Sequence, residues 1–396
     1  MTQVSTERPR KPGIYRLLVL IFILILISAG YYWYRIVSPQ RMYQQALNLS
    51  SSHPAEAESL LEMAIQRSPA THQEWLYLRV KLLVNMNRWE EAAGQWSLIT
   101  DPANLPAEDL CQLAFVAKQQ GHLAFSEQVF QAAKHEQHLL PDILRSLIQI
   151  HLQLGQEDLV IQECHELLEI KPLDSTAWQI IGTVYLTRKD FKEAEDAFRR
   201  CLRTSNDPRQ ISSVRENLIQ SLIDSGQLES AQEEWNHLQA TSSVLSERAI
   251  LEYAWLLRAK GEYEQGLKFL KEYFKENRKL SNKALLMRGM LLMDSGQLED
   301  AQNDFQQIIN IEPWNKEAHQ QLAMVYTRLK KTDFAQKHHK IAEKLNNDTL
   351  ALLKLNSQLR QNPGDTNLRK QIADLYRSLG KPDLARELLK SHTSFP

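Results

Sequence analysis

Hydrophobic and polar positions along most of this chain alternate with the period of an amphipathic helix, and no long run shows the strict alternation typical of strands. From residue 38 onward, short helical stretches are separated at regular intervals by Gly, Pro or Asn. These residue types end helices and form turns. The pattern therefore predicts an all-α chain of short helices joined as hairpins.

The helical pattern repeats with a period of 34 residues, and its clearest unit spans residues 175–208. Positions 4, 7, 8, 11, 20 and 24 of that unit carry its characteristic residues: Trp178, Ile181, Gly182, Tyr185, Ala194 and Phe198. The frame recurs in units 73–106, 107–140, 141–174, 212–245, 247–280, 282–315 and 316–349, and more weakly from Ser38 and from Thr366. Small residues at positions 8 and 20 allow the two helices to approach closely. Gly near position 15 favours a left-handed turn, and Pro near position 32 stops the second helix.

This spacing resembles the tetratricopeptide repeat, a helical hairpin that cannot bury its apolar face alone and therefore stacks with its neighbours. The resemblance implies a right-handed α-solenoid of about nine units over residues 38–349. Residues 350–363 do not fill a unit and are predicted to form a lone helix, so that 350–396 comprises this helix and a C-terminal capping hairpin. Bulky residues at position 8 predict looser hairpins at four places: Gln45, Val80, Ile148 and Ile219.

Residues 17–37 differ from the repeats because they form one apolar run without a charge before Arg35. Twenty-one helical residues at roughly 1.5 Å each span about 31 Å, which matches a bilayer core. Basic residues precede the run and an aromatic cluster, residues 31–34, ends it. We expect a single transmembrane helix over 17–37, a cytoplasmic tail over 1–16, and an extracytoplasmic, periplasmic array anchored in the inner membrane.

Two alternatives to this topology remain open from the sequence. The aliphatic run 17–27 has the length of a signal-peptide core, and the small residues 28–30 could be a cleavage site. The charge difference across the helix is also modest, so an array on the cytoplasmic side is a further alternative.

Charge and cysteine content narrow the possible partners. The formal net charge is −1, with an acidic region over 38–249 and a basic one over 250–396, so the chain lacks the strongly basic face of a nucleic-acid binder. Cys111, Cys164 and Cys201 are isolated, which argues against disulfides and zinc ribbons and favours buried thiols. His338 and His339 are interpreted as part of a solvated basic edge. We expect no metal and no cofactor.

Motifs for catalysis are missing from the sequence, which contains no H-E-x-x-H, phosphate-binding loop, G-x-S-x-G or G-x-G-x-x-G pattern. No acid, base and nucleophile are clustered in the repeat frame. We therefore expect a protein that is not an enzyme and has no small-molecule substrate.

The resemblance implies that partners bind in a concave groove lined by positions 2, 5, 9, 12 and 13 of the first helices. In units 247–280, 282–315 and 316–349 these positions form a Trp and Met strip flanked by Arg, a composition suited to binding apolar ligands. The candidate groove residues are Leu251, Trp255, Arg258, Leu286, Met290, Met293, Gln320, Met324 and Arg328. Unit 175–208 presents a polar face at the same positions, through Thr183 and Thr187 among others.

The leading functional hypothesis is a membrane-anchored scaffold that binds partner proteins or peptides in this groove. The alternative is a periplasmic chaperone-like adaptor for envelope protein or cytochrome maturation. An enzyme with a helical-repeat fold is a third reading, which the absence of clustered catalytic groups disfavours.

Overall fold

The computed structural model describes residues 21–24, 26–28, 30, 38–68, 72–242, 244–274, 280–361 and 364–390. Most of the predicted membrane helix 17–37 lies outside these residues, although 21–24, 26–28 and 30 are helical. Among the described residues, no helix is both long enough and apolar enough to cross a bilayer. All other described elements are helical, which confirms the all-α prediction.

The chain divides into two compact units, Met1–Pro172 and Leu173–Pro396. The described residues of the first unit form four helical hairpins. A short 3-10 helix, Pro102–Asn104, lies between the second hairpin and the third. Its helices are α1 (Pro39–Leu49), α2 (Pro54–Arg67), α3 (Gln73–Asn85), α4 (Trp89–Trp96), α5 (Ala107–Gln119), α6 (Leu123–Ala133), α7 (Leu140–Leu154) and α8 (Glu157–Ile170).

The second unit contains six hairpins. Its helices are α9 (Ser175–Arg188), α10 (Phe191–Thr204), α11 (Pro208–Asp224), α12 (Leu228–Thr241), α13 (Glu247–Ala259), α14 (Tyr263–Phe274), α15 (Asn282–Asp294), α16 (Leu298–Ile311), α17 (Lys316–Arg328), α18 (Thr332–Gln361), α19 (Thr366–Ser378) and α20 (Pro382–Lys390). The predicted unit boundaries and the observed first helices agree closely except at α11, which begins at Pro208 rather than at 212. Pro at the first helical position and the Asp207 cap explain that earlier start.

Position 15 of the repeat takes the left-handed backbone conformation that the sequence predicts. Among the described residues, six glycines hold positive φ there, from 68° at Gly155 to 84° at Gly121. Three hairpins use other residues at the same position, namely Asn87, Lys189 and Lys330, with φ between 59° and 66°. A left-handed non-glycine residue costs roughly 1–2 kcal/mol. The recurrence of this conformation shows that the hairpin geometry, and not glycine alone, fixes the turn.

Two glycines at position 8 confirm the predicted close approach of paired helices. A Cβ on Gly182 would lie 2.5 Å from the ring of Phe198, and one on Gly289 would lie 2.6 Å from the ring of Phe305. Both rings are fully buried, so neither can swing aside. Gly266 differs, because its Cβ would meet Leu291 of the following hairpin at 2.9 Å. Gly266, at position 20, therefore allows two neighbouring hairpins to pack closely, whereas Gly182 and Gly289 allow close packing within one hairpin.

The first helices of the second unit begin at side-chain caps. Backbone N–H groups donate to the side chains of the capping residues at the starts of all six, namely Asp174, Asp207, Ser246, Ser281, Asn315 and Asp365. Each cap satisfies an N–H that the helix itself leaves unpaired, and is worth about 1 kcal/mol. The caps therefore set the phase of each repeat in this unit.

The region after residue 349 differs from the sequence prediction. We expected a lone helix over 350–363, but residues 350–361 continue α18, which runs for 30 residues from Thr332. The residues around 350 contain no Gly or Pro that would end the helix. The first half of α18 packs beside α17, where Lys316 Nζ lies 3.2 Å from Asn346 Oδ1.

The last hairpin packs beside the second half of this long helix. Ser378 Oγ donates to Asp348 Oδ2 over 3.1 Å, which ties the end of α19 to the middle of α18. The turn residue Gly380 lies directly against the Trp314 ring, so a Cβ there would overlap the indole. The last hairpin is thus fixed to the turn before α17 as well as to α18.

We expect Gly182→Ala to lower the free energy of unfolding by about 1–3 kcal/mol, because the added methyl group overlaps the immobile Phe198 ring. Thermal or urea unfolding of the full chain, followed by circular dichroism, measures this change. The matched control is Gly94→Ala in α4, where a Cβ meets no atom within 4 Å. Helix propensity alone should leave that variant about 0.5–1 kcal/mol more stable. Equal effects of the two substitutions would show that helix propensity, and not close packing, governs both positions.

Candidate protein-binding surface

Three consecutive first helices, α13, α15 and α17, are joined by a row of charged side chains. Arg258 Nε donates to Asp294 Oδ2 over 2.7 Å, and an Arg328 terminal nitrogen lies 3.6 Å from Asp294 Oδ1. Arg328 also donates to the Met293 carbonyl oxygen over 2.7 Å. Asp294 is largely buried, so its carboxylate is less screened than one at an open surface. One carboxylate therefore holds two guanidinium groups, one from each neighbouring repeat.

Trp255 lies beside this row on α13. The Arg258 guanidinium carbon is 5.0 Å from the centroid of the Trp255 ring, which is within cation–π range. Trp255 and Leu251, one turn earlier on the same helix, are both half-buried. The indole is therefore held in one orientation with part of its surface accessible.

Two of the predicted groove residues are not accessible. Met290 is 4% exposed and Met293 is 2% exposed, and both lie in the hydrophobic core of the second unit with Leu291 and Phe305. Their assignment to the open groove was wrong. The reason is that α15 is the middle one of three neighbouring first helices, and the flexible thioether side chains fill the space between them. Leu286, on the same helix, is half-buried.

The remaining predicted residues lie on α17 at the surface. Gln320 and Arg328 are exposed, and Met324 is 43% exposed. The structure thus brings together Trp255, Arg258, Asp294, Met324 and Arg328, which we call the Trp255 surface. It has an aromatic and a thioether group, and two cations that share one acid.

A cluster of acidic residues borders the Trp255 surface and was not foreseen. Glu252, on α13, has only 16% of its side chain exposed, and its Oε1 lies 3.7 Å from Arg248 Nε. Burial raises the pKa of Glu252 to about 7, the Arg248 charge opposes this, and Asp224 and Glu216 on α11 raise it further. The burial of Glu252 could not be foreseen from the repeat pattern, because this residue occupies no groove position of the repeat.

Within the part of the chain that the structure describes, no group of three His, Cys, Asp or Glu side chains is positioned to hold a metal ion. His338 is not part of a solvated edge as predicted, since it is 8% exposed. Its Nδ1 lies 2.8 Å from Nδ1 of His319, whose Nε2 is 3.1 Å from the Pro313 carbonyl oxygen. Burial lowers the pKa of both rings, which favours a neutral, structural pair.

The cysteines are mostly buried, as predicted. Cys164 and Cys201 have no exposed surface, whereas Cys111 is half-buried on α5. The Cys201 thiol donates to the Ser175 carbonyl oxygen over 3.1 Å. Burial raises the pKa of Cys201 to about 11. This thiol is therefore protonated near neutral pH and chemically inert.

Glu252 predicts a pH-dependent stability of the second unit. Its pKa is higher in the folded protein, about 7, than the ordinary value of 4.5, so the folded chain binds the proton more tightly. The resulting stabilisation is complete below about pH 4.5 and is lost as the pH rises through about 7. We expect Glu252→Gln to unfold like the wild type near pH 4.5 and at a higher temperature than the wild type above about pH 8.

Differential scanning calorimetry of both proteins at several pH values checks this expectation. The control is Glu272→Gln on α14, which removes a carboxylate that is 66% exposed. That substitution should shift the unfolding temperature equally at every pH. A pH-independent difference for Glu252→Gln would show that the carboxyl does not titrate in this range.

Comparison with known proteins supports the repeat assignment. The family model described as a tetratricopeptide repeat matches residues 175–208 and 283–313. These segments correspond to the hairpins α9–α10 and α15–α16. No curated protein sequence matches the chain.

Solved structures with similar helical arrays include a tetratricopeptide repeat protein from Parabacteroides merdae, at 15% identity and a TM-score of 0.42, covering 72% of this chain and 98% of that one. The Pseudomonas aeruginosa protein pilF has 17% identity and a TM-score of 0.42, covering 54% and 94%. The human IFIT1 dimer with PPP-AAAA has 14% identity and a TM-score of 0.39, covering 85% and 93%.

With such low identities and TM-scores, these similarities carry no information about ligands. Each matched segment coincides with one hairpin of the structure to within a few residues at either end. The match identifies these two segments as tetratricopeptide repeats.

Proposed function

We propose that this protein is a membrane-anchored scaffold that binds partner proteins through its tetratricopeptide repeats, with the Trp255 surface as one binding site. The observation that carries this proposal is the Arg258–Asp294–Arg328 row, which links three repeats and orients the Trp255 ring through Arg258. A binding surface whose side chains are already ordered loses little conformational entropy on association.

The chemistry of the Trp255 surface fits an extended protein segment. Trp and Arg are the residue types that most often dominate binding energy at protein interfaces, and Met adapts its shape to different apolar groups. Two guanidinium groups share the single Asp294 carboxylate, which leaves a net positive charge. A partner with an apolar side chain followed by an acidic one would complement both features.

Membrane attachment through residues 17–37 is the second part of the proposal. The described part of this segment is helical, and its apolar side chains are open to the surroundings, with Phe22, Leu24 and Ile27 each more than 60% exposed. Such a surface is costly in water and favourable in lipid. The basic residues before position 17 favour a cytoplasmic N-terminus and an extracytoplasmic array.

The binding site is tested by the double variant Trp255→Asp, Met324→Asp. We expect crosslinking pull-downs of the membrane-embedded protein to lose specific partners, because two apolar contacts are replaced by charges that repel an acidic segment. Thr183→Asp introduces the same charge at an exposed position on the polar face of α9 and should leave the partner set unchanged. Circular dichroism would verify that all variants fold. An identical partner set for the double variant would overturn the assignment. Met290 is unsuitable for this test because it is buried, and a charge there would disturb folding.

The topology is tested by protease treatment of intact spheroplasts with epitope tags at both ends of the chain. We expect the array to be digested without lysis while the N-terminal tag stays protected. A protected array would place residues 38–396 on the cytoplasmic side. Loss of the N-terminal tag before any protease is added would indicate a cleaved signal peptide instead of an anchor.

A further inference from the structure

The first unit has an open apolar patch on its own first helices. On α5, Phe115 is 47% exposed and Val116 is 43% exposed, and on α7, Leu152 is 45% exposed. Phe115 and Leu152 occupy repeat positions 9 and 12, the same positions that Met290 and Met293 fill in the second unit with less than 5% exposure. Exposed aromatic and aliphatic groups at these positions cost free energy in water unless another surface covers them.

Lys118 lies at the centre of this patch. Its ammonium nitrogen is 5.1 Å from the centroid of the Phe115 ring and 3.0 Å from the side-chain oxygen of Gln149 on α7. Gln149 and Leu152 are three residues apart and share one face of α7. Lys118 therefore contacts the Phe115 ring on its own helix and bridges to α7, the neighbouring first helix that carries Leu152.

The charge of Lys118 is not balanced by an acid. Among the described residues, no carboxylate lies within ion-pair distance of its ammonium, and its hydrogen-bond partner is a neutral amide. Cations on other first helices are paired with acids: Lys81 Nζ is 3.1 Å from Asp109 Oδ2, and Arg258 Nε is 2.7 Å from Asp294 Oδ2. Burial lowers the pKa of Lys118, which indicates that the ammonium has lost hydration without gaining an anion.

We propose that Phe115, Lys118, Gln149 and Leu152 form a second docking surface, which binds a segment of a partner protein in which one Asp or Glu adjoins a bulky apolar residue. A carboxylate on Lys118 would restore the lost charge interaction, and the apolar neighbour would cover Phe115 and Leu152. This inference rests on the proposed scaffold function and adds a second site with its own specificity.

The net charge of the first unit limits further which kind of ligand could bind at this patch. Residues 38–172 contain nine Lys or Arg and seventeen Asp or Glu, so the unit as a whole repels polyanions. A nucleic acid or a run of acidic residues would meet this repulsion at several points. A single acid between apolar residues meets mainly Lys118, because more distant charges are screened within about 8 Å at physiological salt.

The test is selection of a random dodecapeptide display library on the full chain in detergent micelles. For the wild type we expect enrichment of peptides with one Asp or Glu next to Phe, Leu, Ile or Met. Lys118→Glu should lose these peptides and enrich Lys or Arg at the same place. For the best synthetic peptide, fluorescence anisotropy should show a Kd about tenfold weaker with Lys118→Glu, which corresponds to about 1.4 kcal/mol. Lys118→Arg should retain binding.

Matched variants separate this site from the Trp255 surface. Lys171→Glu makes the same charge change at an exposed position of the same unit and should leave the selected peptides unchanged. Trp255→Asp should also leave them unchanged. Peptides that depend on Trp255 but not on Lys118 would overturn the second site and keep the proposed function. The absence of any enriched peptide would count against both.

The remaining possible occupant of the patch is a second copy of this chain, and light scattering tests for such a dimer. A dimer of the full chain that Phe115→Asp converts to a monomer would mean that a second copy covers this patch, and would overturn the proposed partner segment. The proposed partner segment would be supported by two results together. The wild type and Phe115→Asp would have the same mass in light scattering, and only the wild type would bind the acid-containing peptides.

Discussion

Each hairpin depends on the close approach of its two helices, and the remaining architecture follows from that contact. Where position 8 is glycine, as at Gly182 and Gly289, a fully buried Phe ring of the partner helix lies over the backbone. The contact leaves no room for a side chain and fixes the distance between the helices. A left-handed residue after the first helix then directs the chain back along it, even when that residue is Lys189.

Because hairpins of this kind bury only part of their apolar surface, neighbouring hairpins must cover the rest. This stacking brings the first helices side by side and decides which of their residues stay accessible. In the second unit, the gap around α15 is closed by Met290 and Met293, and the accessible surface is reduced to Trp255, Met324 and the charges that link them. In the first unit, Phe115 remains open at an equivalent repeat position.

Charge pairing between repeats distinguishes the two surfaces. Asp294 neutralises part of the charge of Arg258 and Arg328 and locks three helices together, which gives a rigid surface. Lys118 has a neutral amide as its hydrogen-bond partner, and burial lowers the pKa of its ammonium group. The same repeat geometry therefore supports one surface whose cations are paired with an acid of the chain and another whose cation is paired with an amide, where we propose that an acidic ligand binds.

The sequence by itself determined the helical class, the 34-residue frame and most helix starts, because these depend on local signals such as caps, turn residues and small positions. It could not determine that α18 continues past residue 349, since that helix is stabilised by packing against α17 and α19. Nor could it separate Met290 from Met324. Accessibility at one repeat position depends on how closely neighbouring helices approach, which only the tertiary structure decides.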